Sequence, residues 1–228
     1  MDILEKKVEK IISEIAMVVK PTVQTLFPVK IKECGYKTDN TLPAVDDSWR
    51  EYFAGERYGG VDKHFWIYKR FKTPDCDEKH ELRLTINTGS ANHYSRSSRN
   101  PQCILYANGE LVQGLDLNHL EYALKPNADY EIYIYLYTGM FDSYYDMSIG
   151  IVSVNKIYEE LYYDIKVPFD SAALFDEKDF MHIETIKHLN IAVMKLDMRN
   201  GASTEFEKSA VEAIKYLLPF RKSVPRAY

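Results

Sequence analysis

The stretch "DYEIYIYLYTG", residues 129–139, decides the fold because its side chains alternate between two kinds. The aliphatic set and the tyrosine set are Ile132, Ile134 and Leu136 against Tyr133, Tyr135 and Tyr137. Successive side chains of a β-strand point to opposite faces, so the alternation predicts a strand with an aliphatic face on a core and a tyrosine face outside. Tyrosines on an outer face can stack on sugars, but tyrosine also packs well in strands, which favours a structural role.

Similar short runs lie on both sides of this stretch and are separated by Gly, Asn, Asp, Pro and Ser. They are "HFWIYKRF" (64–71), "HELRLTIN" (80–87), "QCILYANG" (102–109) and "YYDMSIGIVSVNK" (144–156). Such spacing is typical of antiparallel sheets. We predict a mainly β chain, with an antiparallel β-sandwich of the jelly-roll, galactose-binding-domain-like kind over residues 34–167.

Helical periodicity flanks the predicted sandwich. Apolar residues recur at helical spacing from Ile3 to Val19 and stop at Pro21, which predicts an amphipathic helix and linker over residues 1–33. Its apolar stripe suits a membrane or a partner, but docking on the chain's own core is favoured. After Pro168, two further apolar helical faces predict two helices, which form a connector over residues 168–228. These faces are Leu174, Phe180, Ile183, Ile186 and Leu189, then Phe206, Ala210, Val211, Ile214, Leu217 and Leu218, with Pro219 and Pro225 ending the pattern.

Composition excludes several classes of function. The formal charge is 29 − 34 = −5, with both signs spread along the chain, so neither nucleic acid nor an anionic membrane is an expected partner. No run approaches the roughly 20 apolar residues of a membrane span. The three cysteines, Cys34, Cys76 and Cys103, match no zinc or redox spacing, and the N-terminus lacks a secretory pattern. We expect a cytoplasmic protein with free thiols.

Local signatures of catalysis are absent from the sequence. There is no P-loop, dinucleotide fingerprint, Gly-x-Ser-x-Gly elbow or His-Glu-x-x-His helix. His182 and His188 are six residues apart and do not share a helical face as zinc ligands would. The sequence therefore nominates no catalytic residue and no metal ligand.

Two polar-aromatic segments stand out within the β-region, "GERYGGVDKHFW" (55–66) and "NGELVQGLDLNHLEY" (108–122). In the first, a Gly-Gly pair allows a tight turn before a strand that carries His64 and Trp66 on one face. In the second, Asn108 and Gly109 form the favoured dipeptide of a two-residue hairpin. The polar residues after this hairpin include two acids, two amides and a histidine.

At these segments the sequence resembles the N-terminal β-domain of glycoside hydrolase family 38 α-mannosidases. That family has a W-G-G-x-D-x-H-x-W-like motif, followed by N-G-x-x-x-Q-G-x-D-x-x-H. Here the first motif reads from Tyr58 to Trp66, with Tyr58 in place of the more usual tryptophan, and the second reads from Asn108 to His119. A "W-R-x-Y" opening at residues 49–52 and the order of helix, sandwich and helices extend the resemblance over nearly the whole chain.

The resemblance implies a parent enzyme that hydrolyses terminal α-mannosides with retention, using zinc or another divalent metal. The family's catalytic domain opens with a Gly-His-x-His-x-Asp segment, and no His-x-Asp triplet occurs in this sequence. We therefore expect an N-terminal domain cut before its active site. Alone it is expected to be inactive and to need no cofactor, with its own catalytic domain as partner and a homo-oligomer as a further possibility.

Three hypotheses remain open for this region. It scaffolds the catalytic domain or an oligomer, it is a carbohydrate-binding module for mannosides, or its 113–119 loop closes over the mannosidase pocket. The polar and aromatic residues that these hypotheses share as candidate substrate-binding residues are Asp62, His64, Trp66, Gln113, Asp116, Asn118 and His119.

The stretch "NTGSANHYSRSSRNPQ", residues 87–102, is small and polar and is typical of a long surface loop. Arg96 and Arg99 flank serines, so an anion site is an alternative interpretation, but a solvated loop is favoured.

Overall fold

The computed structural model describes residues 3–89, 101–116 and 118–223, with side chains described as far as residue 220. These residues form two compact units. A β-unit comprises residues 22–77 and 82–153, and a helical unit comprises residues 78–81 with the described parts of 1–21 and 154–228. Residues 90–100 of the predicted surface loop, with Arg96 and Arg99, lie outside the described residues, as does Pro225.

Strands dominate the β-unit. In chain order they are β1 (Thr22–Thr25), β2 (Val29–Cys34), β3 (Arg50–Tyr52), β4 (Arg57–Gly59), β5 (His64–Lys72), β6 (His80–Asn87), β7 (Gln102–Ala107), β8 (Glu110–Leu115), β9 (Glu121–Leu124), β10 (Asp129–Tyr137), β11 (Tyr144–Asp146) and β12 (Ser148–Asn155). One sheet has the order β3-β2-β5-β10-β7-β8 and is antiparallel throughout. The other has the order β1-β12-β6-β9, and β11 pairs with β4.

The inner faces of the two larger sheets share one hydrophobic core. The six-stranded sheet contributes Ile67, Leu105 and Ile134, while the other sheet contributes Leu84 and Ile151, all fully buried or nearly so. Face-to-face packing of two antiparallel sheets defines a β-sandwich. The predicted fold class is confirmed: a mainly β chain with an antiparallel sandwich, an N-terminal helix and C-terminal helices.

The helical unit contains α1 (Ile3–Val19), α2 (Lys156–Ala172), α3 (Phe180–Met194) and α4 (Thr204–Ser223). The buried stripe of α1 faces α2 and α3, as expected for docking on the chain's own core. Asn155 ends β12 and caps α2, since its side-chain oxygen accepts hydrogen bonds from the backbone N–H groups of Ile157 and Tyr158.

A buried polar contact joins the first helix to the third. The Nε2 of His182 lies 2.7 Å from Glu5 Oε1, and its Nδ1 lies 2.9 Å from the carbonyl oxygen of Ala172. Because both ring nitrogens face acceptors, the doubly protonated imidazolium is favoured. The Ala172 carbonyl, followed by the Glu5 carboxylate, raises the pKa of His182.

The helices begin earlier and number more than the sequence predicted. Among the described residues, three helices follow the sheets instead of two, because α2 begins at Lys156, within the predicted sandwich of residues 34–167. The sheets also begin at Thr22, within the predicted helix and linker of residues 1–33. The element bounds therefore differ from the predicted domain boundaries at both ends of the sandwich.

Two prolines lie inside helices. Pro219 lies inside α4, although the sequence predicted that the helical pattern ends there, and Pro168 lies inside α2, although the predicted helices began only after it. A proline inside a helix costs about 3 kcal/mol through its missing N–H and its steric clash. In α2 the buried side chains of Leu161 and Ile165 before the proline and Ala172 after it keep one face packed, which offsets that cost.

Gly59 permits the close approach of β4 to β11, and this predicts a strong response to substitution. A Cβ at Gly59 would lie 2.1 Å from the carbonyl oxygen of Ser143 and 2.7 Å from the Cα of Tyr144. Both are backbone atoms, so the strands must separate. We expect Gly59→Ala to lower the free energy of unfolding by about 3 kcal/mol, as measured by urea denaturation.

The matched control for this prediction is Gly35→Ala, since a Cβ at Gly35 meets nothing within 4 Å. This variant should unfold at nearly the wild-type urea concentration. Equal stability of the two variants would contradict the assigned role of Gly59.

Candidate functional site

The predicted tyrosine face is an aromatic cluster, which we call the aromatic face. It lies on the side of the six-stranded sheet opposite the core and comprises Trp49, Trp66, Tyr106, Tyr133 and Tyr135. Tyr133 and Tyr135 are only 8% and 7% exposed. The reason is the irregular segment 35–48, from which Leu42 and Val45 pack against the rings. The tyrosine face is therefore not open to solvent at these residues, which supports the structural interpretation over sugar stacking.

Lys37, in the covering segment, places its ammonium group among the aromatic rings. The Nζ atom lies 5.3 Å from the centroid of Trp66 and 5.4 Å from that of Tyr106, which is cation–π distance. It also donates to the carbonyl oxygen of Thr41 at 3.1 Å. The Tyr106 hydroxyl is buried and has no hydrogen-bond partner among the described residues. Sequence patterns missed Lys37 because a lysine in an irregular segment gives no periodic signal.

His64 lies at one end of the aromatic face and is held on several sides. Its ring stacks on Tyr137 at 4.7 Å and on Tyr135 at 5.6 Å, with the edge of Tyr36 at 5.8 Å. The Tyr135 hydroxyl accepts the Lys37 backbone N–H at 2.8 Å and lies 2.7 Å from His64 Nδ1. This hydroxyl therefore links the backbone of the covering segment to the imidazole and helps to orient the ring.

Asp62 forms the turn before β5. Its backbone is left-handed, with φ of 54°, and its N–H donates to the carbonyl oxygen of Gly139 at 2.8 Å. Burial, and then the hydrogen bond from Tyr137 to Asp62, raise the pKa of that tyrosine. Asp62 therefore joins two neighbouring loops at the end of the sheet.

In the predicted 113–119 loop, the described residues Asp116, Asn118 and His119 bond to one another. Asp116 Oδ1 accepts hydrogen bonds from the backbone N–H groups of Asn118 and His119 at 2.8 and 2.9 Å, and lies 3.0 Å from His119 Nδ1. The N–H of Asn118 is the largest of the contributions that lower the pKa of Asp116. Gln113 Nε2 donates to the carbonyl oxygen of Glu121 at 2.9 Å. This arrangement is an Asx turn that leads the chain from β8 to β9.

The Asn108-Gly109 turn is confirmed as the two-residue connection between β7 and β8. Both residues have positive φ, 51° and 87°, as a type I′ turn requires. The Asn108 side chain also accepts the N–H of Glu131 at 2.8 Å, which ties this turn to β10.

The structure does not bring the nominated residues into one site. Asp62 and His64 lie beside the start of β5, and Asp116 follows the end of β8, at the same end of the sheet. However, β10 and β7 lie between these strands, and three strand spacings amount to about 14 Å. Trp66 is buried in the aromatic face, while Asp116, Asn118 and His119 are exposed. Their role in substrate binding stays a prediction.

A separate cleft of about 380 Å³ opens beside β2, β3 and β4. Polar and charged side chains line it above a floor formed by Tyr58 and Phe65, and they include Lys32, Glu33, Arg50, Arg57 and Tyr144. The Tyr144 side chain is 53% exposed. Arg50 pairs with Glu56 at 2.8 Å, and Arg57 donates to the carbonyl oxygen of Tyr144 at 2.6 Å. None of the residues nominated from the sequence lines this cleft.

The described part of the chain contains no metal cluster, and two of its thiols are disfavoured as nucleophiles. No group of three or more His, Cys, Asp or Glu side chains that could hold a metal ion occurs there. Burial raises the pKa of Cys34 to about 11 and that of Cys103 further, which disfavours the thiolate. No helix within residues 3–89, 101–116 and 118–223 is long and apolar enough to cross a membrane.

Comparison with known proteins gives only distant likenesses. No protein-family model and no curated protein matches the chain. A β-glucuronidase from Ruminococcus gnavus in complex with N1-substituted uronic isofagomine is 11% identical, with a TM-score of 0.38, over 60% of this chain and 30% of that one. Bacteroides uniformis β-glucuronidase 2, covalently bound to cyclophellitol-6-carboxylate aziridine, is 13% identical, with a TM-score of 0.38, over 59% and 18%.

A family 35 carbohydrate-binding module from Clostridium thermocellum is 10% identical, with a TM-score of 0.27, over 57% of this chain and 96% of the module. The chain thus spans about 30% of the length of the Ruminococcus gnavus enzyme. At TM-scores below 0.5, these likenesses say nothing about activity.

The buried tyrosines predict a loss of stability in alkali. Burial raises the pKa of Tyr58, Tyr106, Tyr133 and Tyr135, and burial together with the Glu131 hydrogen bond raises the pKa of Tyr68 to about 12. In the unfolded chain a tyrosine ionises near pH 10. The stability from these groups is therefore complete below about pH 10 and falls as the pH rises through the folded values.

Urea denaturation at a series of alkaline pH values, with tyrosinate absorbance as a second readout, checks this expectation. Tyr68→Phe should reduce the loss of stability, whereas Tyr163→Phe on α2, half exposed, should leave the profile unchanged. A flat stability profile up to about pH 12 would show that the tyrosines ionise without cost.

Proposed function

We propose that this chain is the non-catalytic N-terminal domain of a glycoside hydrolase family 38 α-mannosidase and that it scaffolds the catalytic domain or an oligomer. The proposal starts from the two motifs through which the sequence resembles that family. It assigns the hydrolysis of terminal α-mannosides, with retention and with zinc or another divalent metal, to a separate catalytic domain. A cytoplasmic location is part of the same proposal.

The observation that carries the proposal is that the motif residues build the fold. Gly59 allows two strands to approach, Asp62 turns the chain into β5, and Asn108 adopts the left-handed turn and holds β10. Asp116 closes an Asx turn. Side chains and backbone positions used in this way support a scaffold rather than a reactive site.

The described residues do not fit a catalytic metal. The Asp116 carboxylate and His119 contact each other, but no third donor lies with them in the described portion of the chain. A zinc ion in a catalytic site has three protein ligands as a rule. No step of mannoside hydrolysis therefore passes through this chain in the proposal.

The scaffold proposal predicts that the purified chain does not hydrolyse 4-nitrophenyl α-mannoside, with or without added Zn²⁺ or Co²⁺. Mixed with the catalytic domain of the same enzyme as a separate polypeptide, it should raise the melting temperature of that domain, because binding to the folded state stabilises it. Differential scanning calorimetry gives the shift. Gly35→Ala should retain the effect, and Gly59→Ala should weaken it. Turnover that copurifies with the chain through a second column would contradict the proposal.

The second candidate function is a carbohydrate-binding module for mannosides, and the cleft beside β2, β3 and β4 favours it. Its volume of about 380 Å³ falls in the range of small-ligand sites. Lys32, Glu33 and Arg57 supply charged hydrogen-bonding groups, and the exposed ring of Tyr144 supplies a surface on which a sugar can stack.

An NMR titration with methyl α-mannoside separates the two candidates. Sugar binding predicts saturable amide shifts at Lys32, Arg57 and Tyr144 that are lost in Tyr144→Ala and kept in Tyr163→Ala, a control on α2 of similar exposure. Shifts confined to residues 113–119 and the Trp49 and Trp66 indoles would assign binding to the motif loop instead. No shift at millimolar sugar would contradict the binding candidate.

A further inference from the structure

The α3 helix is apolar on both of its faces. Its inner face is buried and consists of His182, Thr185, Ile186, Leu189, Ala192 and Val193. The opposite face carries Phe180, Ile183, Ile191 and Met194, which are 72%, 38%, 44% and 66% exposed. An amphipathic surface helix normally turns polar residues outward, and a helix that is apolar all round is normally buried. The outer face of α3 thus has the composition of a covered surface.

Three further apolar residues, at the start of α3 or just before it in the chain, are also exposed. Leu174 is 86% exposed, Phe175 47% and Met181 48%. The four outer residues of α3 recur along one side of the helix and expose apolar area on the order of a few hundred Å². Scattered single apolar residues are ordinary on a surface, but a continuous row of this kind marks an interaction site.

Charged residues occupy only the middle of the outer face. Lys187 and Glu184 lie there and form an ion pair of 2.8 Å within the helix. Phe180 and Met194 lie seven positions before and after Lys187, and Ile183 and Ile191 lie four positions before and after it. Residues at these spacings share one helical face. The apolar residues of this stripe are therefore arranged symmetrically about Lys187.

We propose that the outer face of α3 binds the same face of a second copy of this chain, with the two helices antiparallel across a two-fold axis beside Lys187. This places Phe180 opposite Met194 of the second copy and Ile183 opposite its Ile191. Lys187 then faces Lys187 of the second copy, and Glu184 of each copy lies about one helical turn away on the diagonal, so each lysine has acids of both copies near it. A two-fold interface must be self-complementary, and the apolar residues of this stripe are arranged symmetrically about Lys187.

Analytical ultracentrifugation of the 228-residue chain tests the proposal. The wild-type chain should be a dimer at micromolar concentration. Ile191→Glu should raise the dissociation constant about 30-fold or more, because it buries a charge near the centre of the interface. Circular dichroism should be unchanged, since the Ile191 side chain is exposed within one copy.

A pair of charge variants tests the two-fold geometry. Glu184→Lys gives a stripe with two lysines, and Lys187→Glu gives one with two acids, so each variant alone should be largely monomeric. Mixed in equal amounts, the two should form a heterodimer, because each lysine then meets an acid of the other chain. Pairing within one helix cannot restore association between two different variants.

Glu212→Lys and Lys215→Glu on α4 serve as matched controls, since that pair has the same spacing, is also exposed and has an ion pair of 2.9 Å. Both control variants should dimerise like the wild type. A monomeric wild-type chain at ~100 µM, far above the micromolar affinity of ordinary specific complexes, would overturn the proposal and leave the face for another domain or partner. A dimer that survives Ile191→Glu and both α3 charge variants would place the interface elsewhere and overturn it equally.

Discussion

The pairing of β5 with β10 is the constraint on which the rest of the β-unit depends. The two strands stay in register from His64 opposite Tyr137 to Lys72 opposite Asp129. Because side chains alternate along both strands, the register sends Tyr130, Ile132, Ile134 and Leu136 of β10 to the core. It sends Tyr133, Tyr135 and Tyr137 to the other face. A slip of one residue would exchange the faces and leave Ile134, now fully buried, in the place of a tyrosine.

A sheet with two apolar faces needs a cover on each side, and this requirement explains the 35–48 segment. The second sheet covers the aliphatic face, while Leu42, Val45 and Lys37 cover the aromatic face. The segment is irregular. Its side chains fill the spaces among the rings, and its Lys37 N–H donates to the Tyr135 hydroxyl. The Tyr135 hydroxyl also contacts the nominated histidine His64, so the covering segment helps to orient this ring.

The sequence predicted those features that depend on neighbours along the chain. The strands around residues 64–71, 80–87 and 102–109 and the Asn108-Gly109 turn were predicted because alternation and turn chemistry are local. Long-range packing decided the rest. The buried face of α2 overrides Pro168, and the cover over the aromatic face follows no periodic pattern. The predicted face of α3 grouped Phe180 and Ile183 with Ile186 and Leu189, although the first two point outward, since apolar residues on both faces make the helical phase ambiguous.

The aromatic face and the outer face of α3 are both apolar surfaces, but they differ in burial. Both are apolar, but the first is buried by a segment of the same chain, in which a lysine ammonium lies among the rings. The second has no cover from any described residue and keeps Phe180 and Met194 in water. Exposed apolar area is unfavourable at about 25 cal/mol per Å², so an uncovered stripe that recurs at helical spacing favours association. The outer face of α3 is therefore the surface through which we propose association, while the residues of the family-like motifs make contacts that stabilise the β-unit.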